Sequence, residues 1–133
     1  MPESTTPWFS LDALIELGFP GLLRLGHSAI VRVVEPMLDA AACAGSAGSP
    51  WGENLAHLHY LLGDVWDSQF APQAALRHYE QAAELSQFPA SALREAGGML
   101  HQLGQFEDAQ VRLVQALEQD PEDDLAREDL EHV

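Results

Sequence analysis

Apolar residues return at three- and four-residue steps along most of the chain, the spacing of one helix face. Phe9 and Leu14 frame a start, with Ser10 placed as N-cap and Asp12 in the first turn. This predicts a helix over 11–17 that stops at Gly18, before Phe19-Pro20. Leu23, Ile30, Val34, Met37, Leu38 and Ala41 then mark a longer helix, although Ala29–Val34 has a strand-like composition. Pro36 is expected to kink that helix near Glu35. Residues 43–51, rich in Gly, Ser and Ala, read as a flexible connection with a stop at Pro50. The whole is expected to be one all-α domain over 1–133.

Between Leu55 and Pro121 the pattern repeats with a period of 34. The first copy runs His59, Leu62, Gly63, Trp66, then Ala75, Tyr79 and Ala82; the second runs Leu93, Ala96, Gly97, Leu100, then Ala109, Leu113 and Ala116. Gln81 and Glu84 recur as Gln115 and Glu118. Residues 59, 62, 63 and 66 share one helix face. Glycine inside a helix costs roughly 0.5–1 kcal/mol relative to alanine, so its use at both 63 and 97 calls for a packing reason. A close approach of the following helix, at Ala75 and Ala109, supplies it.

These residues resemble the tetratricopeptide repeat, with its bulky residue, small-residue step and alanines on the second helix. The resemblance implies a solenoid of antiparallel helix pairs, with repeats at 55–88 and 89–121. His59 stands where Trp or Leu is usual, Gln87 replaces the closing proline of the first copy, and Phe70 takes the turn position that Gly104 fills in the second. Pro72 suits the first position of the next helix. Shifted back by one period, the frame fails at Gly45 and Gly48. Residues 10–42 are therefore expected to be accessory helices covering the first repeat, and 122–131 a capping helix.

Composition narrows the partners. Six Arg, no Lys and 21 acidic residues give a formal net charge of −15. No basic footprint for nucleic acid or an anionic membrane can be assembled. A protein or peptide partner of basic or apolar character is expected, and the acidity also serves solubility. The single cysteine, Cys43, fits a reducing compartment and has no basic neighbour to activate it. The N-terminus has no signal-peptide pattern, and charges interrupt the apolar run from Phe19 to Leu38, so a cytoplasmic protein without a membrane span is expected. Trp66 belongs to the core by motif, whereas Trp8 and Trp51, beside Pro7 and Pro50, are expected to pack onto the domain.

In the repeat family the first helix of each repeat lines a concave groove. The resemblance places His57, Tyr60, Asp64 and Asp67 there from the first copy, and Ser91, Arg94, Gly98, His101 and Gln102 from the second. Some relatives clamp a terminal carboxylate with Lys and Asn on this stripe. Here those positions hold Tyr60 with Asp64 and Arg94 with Gly98, so no such clamp is expected. Arg94 and His101 give the second copy a modest positive character. No phosphate loop, nucleophile elbow or Cys/His ligand spacing is present, so neither catalysis, a cofactor nor a metal is expected.

The implied function is a protein-interaction module, an adaptor or assembly chaperone. Its format is similar to the small repeat-containing chaperones of bacterial secretion systems. The alternatives are a homo-oligomerising domain using the N-terminal helices, a homodimer among its forms, and a metal-dependent accessory protein using His57, Asp64, Asp67 and His101.

Overall fold

The computed structural model describes residues 11–36, 38 and 50–132, without the side chains of 11–13, 19, 27, 33 and 50–52. Ser10, Phe9, Trp8, Met37, Ala41 and Cys43, with the expectations attached to them, lie outside the described residues. Every regular element among those described is helical.

Helix α1 (Leu11–Ala29) contains two non-helical residues, Gly18 (φ 64°, ψ −172°) and Gly26 (φ 86°, ψ 162°). Gly18 is the expected break, and Pro20 then falls in the first turn of the next piece, where its missing N–H costs nothing. The break at Gly26 corrects the sequence reading. Each interruption resets the helical phase, so Leu22 is buried while Leu23 is exposed. Residues Ile30–Val34 are π-helical, with the Glu35 N–H reaching back to the Ile30 carbonyl. The strand-like composition is thus overridden by helix. In a regular α-helix the ring of Pro36 would clash with the carbonyl four residues earlier, and the widened turn just before it gives that ring room.

Helix α2 (Pro50–Ser68) begins at Pro50 and includes Trp51, so Pro50 starts this helix and does not end the connection before it. Helix α3 (Pro72–Leu85) has Pro72 in its opening turn. Helices α4 (Ala90–Gln102), α5 (Phe106–Gln119) and α6 (Asp124–Glu131) follow. Asp123 caps α6, its side chain accepting from the Ala126 N–H at 3.1 Å. Each helix packs chiefly on its neighbour in sequence, and α6 also touches α4.

The 34-residue period is geometrical as well as chemical. The Ala71 N–H donates to the Trp66 carbonyl at 2.9 Å, and the Gln105 N–H to the Leu100 carbonyl at 2.9 Å. Between those partners sit Phe70 (φ 61°) and Gly104 (φ 81°), both left-handed. A Cβ added to Gly63 would meet the Tyr79 ring at 2.6 Å; one added to Gly97 would meet Leu113 Cγ at 2.9 Å. Both glycines therefore stand where the second helix of each pair comes closest, and those contacts recur 34 residues apart.

The N-terminal segment shares one core with the first pair. Leu14, Leu22, Ile30, Val34 and Leu38 cluster with Leu55, Leu58, Leu62 and Val65. A smaller cluster of Leu113, Ala116 and Ala126, flanked by Leu93, Leu117 and Leu130, seats α6.

Candidate partner-binding groove

The stripe expected from sequence lies on α2 and α4, and its members are more entangled than spacing implied. The Tyr60 hydroxyl donates to Glu95 Oε2 at 3.1 Å, bridging the first helices of the two pairs. Tyr60 also meets Tyr79 edge to face, with ring centroids 5.4 Å apart. The Tyr79 hydroxyl in turn donates to Asp64 Oδ1 at 2.6 Å. Burial raises the Asp64 carboxyl above its ordinary value, the Tyr79 hydrogen bond opposes that rise, and the charge of Asp67 adds to it. Glu95 is raised by burial, against Tyr60 and Arg94, with Asp64 and Asp67 contributing repulsion. Burial and the neighbouring carboxylates push both tyrosine hydroxyls well above their ordinary range.

Arg94 does not offer a free cation. Its guanidinium donates to Asp123 Oδ2 at 2.9 Å and lies 3.8 Å from Glu95 Oε2. Burial works against the charge, but the Asp123 hydrogen bond and the two carboxylates hold the guanidinium firmly protonated. Arg94 thus ties α4 to the N-cap of α6, and the expected positive character of the second copy is neutralised internally.

His57, Tyr60 and Ser91 line a cavity of about 150 Å³ with Glu53, Ser86 and Phe88. Gly98 and His101 line another, of about 120 Å³, with Asp129 and His132 of α6. The His101 ring rests edge-on against Phe106 at 5.1 Å, and Gln102 is exposed at the end of α4. The stripe is therefore two small cavities flanking a half-buried acidic middle at Asp64, Asp67 and Glu95. Among the described residues no group of three or more His, Cys, Asp or Glu could hold a metal ion, so His57, Asp64, Asp67 and His101 do not converge on one. No described helix is long and apolar enough to cross a membrane.

Sequence reasoning missed Glu95 and Asp123, whose roles depend on which helices become neighbours. It also missed the partner of His59. No family model, curated protein or solved structure matches the chain.

Proposed function

We propose that this chain is a tetratricopeptide-type interaction module, an adaptor or assembly chaperone acting in the cytoplasm, that holds a peptide or helix of a partner protein against α2 and α4. The observation that carries this reading is the 34-residue recurrence of the turn hydrogen bonds and of the Gly63–Tyr79 and Gly97–Leu113 contacts. The two helix pairs are built alike, and the Tyr60–Glu95 hydrogen bond joins their first helices. The surface between them is acidic. Asp64, Asp67 and Glu95 repel one another, and Arg94 is already engaged. A basic or apolar segment fits this surface, whereas an acidic one does not.

The test is to identify a polypeptide that copurifies with the chain and to measure its affinity for groove variants. His57→Ala combined with Asp67→Asn should weaken binding at least tenfold while leaving the thermal transition in place. Undiminished binding in that variant, together with loss of binding on changes to residues 11–34, would reject the groove.

A second reading has its own support. Leu17, Leu23 and Val31 of the N-terminal segment are exposed. A homodimer formed through that segment would show as a doubled mass in solution that Leu23→Glu returns to the monomer.

A further inference from the structure

Beneath the groove, three elements meet at a buried polar chain. His59 of α2 and His78 of α3 are 5% and 1% exposed. Their Nδ1 atoms lie 2.9 Å apart. His78 Nε2 is 3.3 Å from Oε2 of Glu35, in the N-terminal segment. The same carboxylate accepts from the Trp66 indole N–H at 3.2 Å and from the Arg77 guanidinium. One side chain of the segment therefore gathers donors from both helices of the first pair.

The contact between the two rings restricts their protonation. Two facing Nδ1 atoms at hydrogen-bond distance share one proton: one N–H donates and the other nitrogen must be bare. In the neutral arrangement His59 Nδ1–H donates to His78 Nδ1, and His78 Nε2–H donates to Glu35. One added proton can be balanced by the Glu35 carboxylate. A second would place N–H against N–H inside the core. The charged or titratable groups set against the pair, among the described residues, are Glu35 from the N-terminal segment and Arg77 from α3.

We propose that the Glu35–His78–His59 chain is an acid-opened clip holding the N-terminal segment on the first helix pair. Between neutral and mildly acidic pH the second proton enters only if the Nδ1 contact breaks. His78, no longer positioned by His59, then leaves Glu35 with Arg77 as its remaining α3 donor among the described residues, and the segment Ile30–Glu35 detaches before the second helix pair unfolds. Burial, and then the charges of His78 and Arg77, hold the His59 imidazole down at about 4. The freed ring returns to the ordinary value near 6.5, so each pH unit in that interval favours the opened segment about tenfold.

The experiment follows histidine ring signals by NMR and amide hydrogen exchange in the full chain from pH 7.5 to 4.5, corrected for intrinsic exchange rates. Protection at Ile30–Glu35 should fall about tenfold per pH unit below pH 6.5, while amides of Ala109–Leu117 keep theirs, and protonation of His59 should track that loss. His59→Asn removes the titrating ring and should flatten the pH dependence of the segment. If that variant does not fold, the wild-type titration alone decides. A segment that stays as protected as α5 down to pH 4.5, or that is lost together with α5 in a single transition, overturns the proposal.

Discussion

Tyr79 occupies the space that a side chain at Gly63 would need: a Cβ there would lie 2.6 Å from Tyr79 Cε1. The ring cannot retreat easily, because it is fully buried and its hydroxyl is held by Asp64. Gly63→Ala should therefore destabilise the protein by about 1–3 kcal/mol, as overpacking does, despite alanine's higher helix propensity. Urea unfolding measures this directly. A neutral or stabilising result would show that α2 and α3 do not meet this closely.

Gly97 and Gly98 offer an internal control. Added Cβ atoms would meet Leu113 at 2.9 Å in the first case and nothing within 4 Å in the second. Gly97→Leu should cost about 1–3 kcal/mol or more. Gly98→Ala should raise stability by up to about 1 kcal/mol through helix propensity. Thermal melts of the two variants should move in opposite directions.

Phe70 has φ 61° and is 92% exposed, so its side chain recovers little for a left-handed backbone. Glycine fills the equivalent turn at Gly104, with φ 81°. Phe70→Gly should raise stability by roughly 1 kcal/mol, the strain of a non-glycine residue in this region less glycine's entropy in the unfolded chain. Equilibrium unfolding of the variant checks it.

Arg94→Ala separates pairing from binding. It removes a guanidinium hydrogen-bonded to Asp123, whose own carboxyl is held below the usual range by the Ala126 N–H and Arg94 despite burial. A loss of about 1.5–3 kcal/mol is expected, with fraying concentrated in α6. Loss of partner affinity without loss of stability would instead make Arg94 a contact residue.

Acid should weaken the fold in two overlapping windows. His59 falls from 6.5 unfolded to about 4 folded, so the unfolded chain takes the proton first. Its stabilising contribution is complete above pH 6.5 and disappears toward pH 4, by about 1.4 kcal/mol per unit. Glu35 is lowered from 4.5 to about 2, with burial opposing and His78 and Arg77 outweighing it. Its contribution is present above pH 4.5 and is lost toward pH 2. Asp64 and Glu95, both raised by burial first and by neighbouring carboxylates after it, act in the opposite sense, because their charged forms are the costly ones in the folded state. The urea midpoint should begin to fall near pH 6.5 in the wild type, and at lower pH in His59→Asn.

The sequence by itself determined the helical class, the helix pairs and their 34-residue register. The break at Gly18 has a local backbone reason, and glycine at 63 and 97 with alanine at 75 and 109 announces a close helix contact by recurring in register, which a linear pattern displays. The exposed turn at Phe70 was visible as a departure from Gly104, and His59 as a polar residue where a bulky apolar one is usual. Only the tertiary structure decided what these residues meet. Leu22 takes the core in place of Leu23 because two glycine breaks reset the helical phase. Arg94 turns from a free groove cation into a brace for α6 because Asp123, 29 residues away, arrives beside it. Glu35 read as a charge interrupting an apolar run, yet it accepts from Trp66, Arg77 and His78 across 31 to 43 residues. Such pairings depend on distances between helices, and no periodicity along the chain encodes them.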